Sequence, residues 1–428
     1  MKEIILRTFY LLNDFVYLYP LLMSFVWMIG GLIFARRLEH GRGQDPPKLE
    51  NPPLVSILVP CHNEEGQIRE TVLQLMDLDY PSYEIILIDD GSTDKTAEII
   101  HELCERHEPI RALYLKENQG KGAALNAGSM IAKSDLLLTM DADALLDSKA
   151  LTWMAHHFVT GPRVGAVTGN PRVLNRTTLL AKIQTGEYST IIGLIKRTQR
   201  ILGKVLTVSG VIACFRRQAL LSAGFWDCDM VTEDIDVTWK LEKHFWDVRY
   251  EPRAICWIRV PETLKGIWRQ RFRWSQGGVE VLRKHADIWG DWRQRRLWPV
   301  YLEYLASVAW SYIFWGLAFL WAIKTVLGLP LPFHVLAPIP PAWTGAILVF
   351  TCVLQFSVSL YLDHAYEKDL GKYLFWVIWY PFMYWMISSF TLLFAAPKAL
   401  FKKKGTRAIW RSPDRGLDRI YKPGMIET

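Results

Sequence analysis

Four long apolar stretches bracket a segment of quite different character, and this limits the fold more than any other feature of the chain. Residues 15–35, FVYLYPLLMSFVWMIGGLIFA, carry no charged side chain. A helix needs roughly 20 such residues to cross the hydrocarbon core of a bilayer. Three further candidates lie at 303–323, 342–362 and 373–396. Between the first and second, short apolar runs alternate with polar, helix-length segments. A water-soluble α/β domain is therefore expected between transmembrane helices.

The first stretch reads as an anchor. It is longer than a signal-peptide apolar region, and Arg36 and Arg37 follow it with no small-residue cleavage site. Those arginines place the soluble domain in the cytoplasm. Residues 1–14 are too short and too charged to span alone. The net charge of +7 suits a cytoplasmic membrane face and an anionic substrate. The six cysteines show no CxxC spacing, which argues against a zinc site or a disulfide framework. Lysines 398 and 402–404 predict a tail on the inside, which three full C-terminal crossings would not allow. Pro381 resolves this only if it breaks the last stretch or makes it re-entrant.

Residues 36–53 form a linker that includes the Pro-rich GRGQDPPKLENPP, and residues 54–260 form the soluble domain. Residues 261–300 are read as interface helices and 397–428 as a basic tail. The runs LVSILVP (54–60), EIILIDD (84–90), RALYL (111–115) and DLLLTMD (135–141) predict buried strands of a parallel sheet. Ligands of such sheets bind at the carboxyl ends of the strands. There the chain places PCHNEE, DDGSTDKT, ENQGKGAALN and DADA. Asp141 and Asp143 are hard oxygen ligands suited to Mg²⁺ or Mn²⁺, ions that complete their shell with substrate phosphates. Lys121, between Gly120 and Gly122 at a helix start, supplies positive charge for the same phosphates. DDGSTD alone is more often a turn before a capped helix; four such segments in succession are not explained as turns.

Further on, MVTEDIDVTWKL opens a helix with Thr232, Glu233, Asp234 and Asp236. Acidic residues stabilise any helix N-terminus, which alone accounts for Glu233. In RQRFRWSQGG (269–278), helical spacing puts Gln270, Arg273, Trp274 and Gly277 on one face. Trp268, Phe272, Val279 and Leu282 fall on another, an apolar stripe for anchoring at the interface. A plain anchor would keep Trp274 with that stripe.

The ordered motifs PCHNEE, DDGSTDKT, NQGKGAALN and DAD resemble a GT-A-fold, nucleotide-diphospho-sugar transferase. Thr-Glu-Asp and Gln-X-X-Arg-Trp resemble signatures of processive synthases such as those of cellulose, chitin and hyaluronan. The resemblance implies donor contacts from Pro60, Asn63, Glu64, Asp89, Asp90, Lys121, Asp141, Gln270, Arg271 and Arg273, with Asp89 and Asp90 on the uridine. It implies a metal on Asp143 and Asp141, Asp234 as general base beside Glu233, Arg273 on the diphosphate, and Trp274 under the acceptor sugar. A nearby metal and basic groups are expected to depress the Asp234 pKa. VGAVTGNPRV (164–173), GEYSTIIGLIKRTQRI (186–201), VSGVIACFRR (208–217), PETLKGIWRQRFRWSQGG and SPDRG (412–416) narrow the likeness to bacterial poly-β-1,6-N-acetylglucosamine synthases. This implies UDP-N-acetylglucosamine as donor, a growing poly-N-acetylglucosamine chain as acceptor, a biofilm exopolysaccharide as product, and export through a multi-pass protein of the bacterial inner membrane. Some members of that family need a small second membrane subunit and some respond to cyclic di-GMP. This chain shows no nucleotide-sensing domain, so such control would act through a partner interface. No nucleic-acid partner is expected. Glu187 and Tyr188 lie in one of these blocks without an assigned role. Another processive synthase, a single-addition transferase acting on a lipid carrier, and an inactive scaffold are the competing readings. The scaffold would not need Asp141, Asp143 and Asp234, and all three are present.

Overall fold

The computed structural model describes residues 2–41, 43, 45–328, 343–403 and 405–408. The apolar runs form strands where expected: β1 (Val55–Cys61), β2 (Tyr83–Asp90), β3 (Ile110–Leu115) and β4 (Leu136–Met140). Every residue of β1 and β4 is buried, the pattern of strands covered on both faces. β5 (Leu145–Leu146), β6 (Val164–Val173), β7 (Ile212–Arg216) and β8 (Asp247–Ile258) complete one sheet in the order β3-β2-β1-β4-β7-β6-β8-β5.

The first four strands are parallel, but the whole sheet is mixed. β7 enters between β4 and β6 and runs antiparallel to both, and β5 runs antiparallel to β8. The parallel expectation fails there because the long helical excursion after β6 returns the chain at the same carboxyl edge that β6 left, so β7 runs back against its neighbours. Its reversed direction has a consequence for the site. Ile212 pairs with Met140, so Ser209 and Gly210 arrive beside Asp141 at the carboxyl edge.

Among the described residues, three helices are long and apolar enough to cross a membrane: Lys2–Phe34, Trp298–Leu327 and Trp343–Asp363. Residues 2–14 continue the first of these as one helix and do not form a separate element. The stretch expected at 373–396 is broken. It passes through a short helix (Leu374–Val377) and a π-turn (Tyr380–Tyr384) before the Trp385–Phe401 helix. Pro381 lies in that π-turn, where its missing N–H and fixed φ interrupt α-helical pairing. SPDRG lies outside the described residues.

A buried ionic cluster joins the sheet domain to two of these long apolar helices. Arg197 meets Glu39, just past the first helix, at 2.7 Å and Asp363, at the end of the Trp343–Asp363 helix, at 2.7 Å. Arg172 on β6 reaches the other Asp363 oxygen at 2.9 Å. Two cations and two carboxylates balance. Such a cluster adds little net stability against an apolar core, but a mispaired arrangement would leave a buried charge costing several kcal/mol. It therefore specifies one placement of the domain on its helices.

Candidate active site

The carboxyl ends of β1, β2 and β4 lie side by side, and the loops leaving them hold each other in place. Asn63 adopts a left-handed conformation (φ 57°), which Asn tolerates better than most residues. Its Oδ1 accepts the Thr93 N–H at 2.8 Å, and its own N–H donates to Ser92 Oγ at 3.0 Å. The Glu64 N–H donates to Thr96 Oγ1, and Asp89 accepts from the Ser92 N–H. Asp90, fully buried, accepts the N–H groups of Gln119 and Gly120 at 2.8 and 2.9 Å, fastening the glycine loop ahead of Lys121. Burial raises the Asp90 pKa, and those two N–H groups oppose the rise.

Lys121 starts the Lys121–Ile131 helix and is the hub of the next layer. Its Nζ reaches Asp141 Oδ1 at 2.5 Å, the Gly210 carbonyl at 3.0 Å and Glu233 Oε1 at 3.4 Å. Burial alone would lower its pKa, but Asp141 and Glu233 raise it, so it is a fixed cation. Asp234, in the first turn of the Glu233–Lys243 helix, accepts the Ile235 N–H at 2.9 Å and the Gly210 N–H at 3.2 Å. Asp236 belongs to a different group, held by Lys284 at 2.6 Å and His285 at 2.9 Å.

Asp234 departs from expectation. Its pKa is raised to about 6, because burial and the neighbouring Glu233 carboxylate outweigh the attraction of Lys121 and Arg273. The sequence shows the basic neighbours but not the degree of desolvation. A general base with that pKa is ionised at neutral pH and protonated below about 6, so transfer is expected to fall as pH drops through that value. Initial rates between pH 5 and 8 check this, and a flat profile across pH 6 contradicts it.

The Leu264–Lys284 helix, capped by Thr263 Oγ1 accepting the Gly266 N–H, brings RQRFRWSQGG to this edge. Its two faces separate as spacing predicts except at Leu282, which leaves the expected stripe and packs with Met230, Trp239 and Leu297. Trp268 packs on Phe390 and Phe394, Phe272 lies under Lys398, and Val279 packs on Leu392 and Ala396. That stripe thus faces the Trp385–Phe401 helix, where a bare lipid interface was expected. Gln270, Arg273 and Trp274 line a cavity of about 870 Å³. Gln270 Oε1 is buried there without a hydrogen-bond partner among the described residues. Exposed Arg273 makes no hydrogen bond or ion pair among the described residues.

The same cavity is lined by Lys121, Asp141, Asp143, Glu233, Asp234 and Arg271. Pro60, Asn63, Glu64, Asp89 and Asp90 lie at the β1 and β2 ends outside that lining. Beyond the carboxylates the cavity continues between the spanning helices, past Tyr19, Trp27, Trp310, Phe314 and Trp385. Two contributors carried no signal that periodicity could read. Gly210 faces Asp234 and Lys121 only because β7 is antiparallel. Glu187, 1% exposed, ion-pairs with Arg271 at 2.6 Å.

Thr232 does not cap its helix; its buried Oγ1 has no hydrogen-bond partner among the described residues and faces Gly277. A Cβ at 277 would overlap the Thr232 side chain, lying 2.7 Å even from the Thr232 Cβ. Gly277→Ala is thus expected to push Thr232, and with it Glu233 and Asp234, out of place. Misplacement by about 1 Å costs on the order of a hundredfold in rate. Nucleotide binding should persist, and Thr232→Ala in the same chain should restore part of the activity. Rates with calorimetric nucleotide titrations test both.

A carboxylate pair at a strand end, Lys121, the half-buried Asp234 and an arginine–tryptophan face thus share one cavity at the carboxyl edge of the sheet. The model described as "Glycosyltransferase like family 2" matches residues 52–277, and the chain belongs to that family. A poly-β-1,6-N-acetyl-D-glucosamine synthase of Staphylococcus epidermidis is 40% identical over 415 residues, covering 94% of this chain and 98% of that protein. One of Staphylococcus aureus (strain MSSA476) is 40% identical over 413 residues, with the same coverage. A solved mannosyltransferase, PcManGT from Pyrobaculum calidifontis in complex with GDP-Man and Mn²⁺, shares the fold. It has a TM-score of 0.64 and 21% identity, covering 92% of this chain and 99% of that one.

Proposed function

We propose that this chain is a processive, inverting synthase that joins N-acetylglucosamine from UDP-N-acetylglucosamine into a β-1,6-linked polymer at the cytoplasmic face of a bacterial membrane. The observation that carries the reading is the meeting in one cavity of Asp234, the Asp141–Asp143 pair and the Gln270–Arg273–Trp274 face. The 40% identity to synthases named for that polymer, across nearly the whole chain, supports the donor and the linkage.

Asp234 takes the proton of the acceptor hydroxyl. The freed oxygen attacks the anomeric carbon from the side opposite the diphosphate, and the bond from that carbon to the diphosphate oxygen breaks. Inversion follows from that geometry. Arg273, unpaired and planar, suits two diphosphate oxygens at once. Lys121 holds Asp141 and Glu233 in register, and its charge favours the departing anion. Trp274 offers a flat apolar face to the terminal sugar.

The donor set fits a divalent cation. Asp141 and Asp143 both line the cavity, and no group of three or more metal-binding side chains gathers among the described residues. The remaining positions of an ion there would go to phosphate oxygens and water, as Mg²⁺ prefers. When bound, Mg²⁺ or Mn²⁺ supplies Lewis-acid stabilisation of the departing diphosphate. Chelation is therefore expected to abolish polymer formation, with either ion restoring it. Polymerisation unaffected by a chelator would remove the metal from this reading.

Export is part of the proposal. The aromatic lining beyond the site leads between the spanning helices and supplies stacking surfaces for a sugar chain. The decisive experiment supplies the purified protein in lipid with UDP-N-acetylglucosamine or UDP-glucose and sizes the product. A long polymer cut by a β-1,6-specific hexosaminidase is expected from the first donor alone. Short adducts only, or preference for glucose, would overturn the proposal.

A further inference from the structure

Arg271 stands between Gln270 and Arg273 on the signature helix but is engaged differently from both. It is 4% exposed, whereas Arg273 is open to the cavity. Its Nη2 donates to Glu187 Oε2 at 2.6 Å and to the Tyr384 hydroxyl at 2.7 Å. Its guanidinium carbon lies 4.2 Å from the centre of the Trp274 ring. The Tyr380 hydroxyl reaches Glu187 Oε1 at 3.5 Å, and the Tyr380 and Tyr384 rings stack at 5.7 Å. Both tyrosines belong to the π-turn that contains Pro381.

Three physical facts follow. A buried guanidinium needs a buried counter-ion, and among the described residues Glu187 is its one ion-pair partner. Its charge is thereby neutralised, so it has little to offer a diphosphate. A planar cation lying over an indole fixes that ring's tilt while covering one side of it.

We propose that Glu187 and Arg271 are positioning residues that lock the Trp274 indole against the broken membrane segment, so that its remaining surface faces the sugar passage. The proposal rests on the reading of Trp274 as the acceptor platform. It reassigns Arg271 from donor contact to support and gives Glu187 its role. It also accounts for the broken helix: the π-turn carries the two tyrosines that hold the pair, linking platform orientation to the wall of the passage.

The test uses the full-length protein in lipid, with UDP affinity, donor hydrolysis and product length measured together. The variants are Arg271→Lys, Glu187→Gln, Tyr384→Phe, the double Glu187→Gln/Arg271→Gln, and Trp274→Ala for reference. Lysine keeps the charge and its donors but cannot lie as a plane over the indole. Arg271→Lys should shorten the product, by up to about the tenfold expected when the stacking hold of Trp274 is lost, with UDP affinity held within about twofold. The double variant should be less impaired than Glu187→Gln alone, because no lone buried charge remains. Tyr384→Phe loses one hydroxyl and keeps the ring, so it should shift length in the same direction without threatening the fold. Full-length product from both Tyr384→Phe and Glu187→Gln overturns the proposal. So does an Arg271→Lys protein that binds UDP tenfold more weakly yet makes normal-length product. If Trp274→Ala makes normal-length polymer, the platform reading itself falls. If it shortens the product and Arg271→Lys does not, only the positioning role falls.

Discussion

Asp234→Asn is expected to abolish polymer formation while leaving UDP binding nearly intact. Asn occupies the same volume, and its side-chain oxygen still accepts one of the Ile235 and Gly210 N–H groups, so the start of the Glu233–Lys243 helix loses one of the two local bonds and keeps the other. Lys121 retains Asp141 and Glu233 as partners, so losing one negative charge does not free it. The amide has no affinity for the acceptor proton at any working pH. Loss of a general base costs on the order of 10²–10⁴ in rate. Incorporation of labelled sugar, beside calorimetric UDP titration, measures the two quantities separately. Polymer made at even a tenth of the normal rate would show that Asp234 is not the base. Equal loss of UDP binding would mean that it holds the donor.

The second large effect is expected from Trp274→Ala. The ring is half-buried, with Arg271 on one side and the cavity on the other. Its removal takes nothing from Lys121, Asp141 or Asp234, so donor hydrolysis should change little. What disappears is a stacking surface worth about 1.5 kcal/mol, or roughly a tenfold weaker hold on the chain end per addition. Because each addition competes with release, the length distribution should collapse toward short oligomers even where initial rates fall modestly. Gel filtration of the product with parallel UDP release reads this ratio. Equal loss of both activities would argue that Trp274 supports the fold of the site and does not hold the acceptor.

Much of the site was legible because it lies at the ends of regular elements. Strand and helix periods are local, so the run ending at Asp90 and the one ending at Asp141 reveal where their loops must emerge. Helical spacing likewise separated Gln270, Arg273 and Trp274 from Trp268 and Phe272, and the structure keeps that division. What the apolar stripe touches was not legible: a stripe that suits lipid suits the Trp385–Phe401 helix equally well. The same limit applied to residues 2–14, which look too polar to span alone yet simply extend the first helix.

The order of elements, three of the four long apolar helices, the acidic strand ends and the two faces of the signature helix were determined by the sequence itself, because each depends on neighbours within a few residues. Only the tertiary structure decided that Asp234 titrates near 6, that Gly277 clears room for Thr232, and that Arg271 answers to Glu187, 84 residues away. Those outcomes depend on desolvation and on distances between elements, which arise when an antiparallel β7 and a broken membrane helix close around the same cavity.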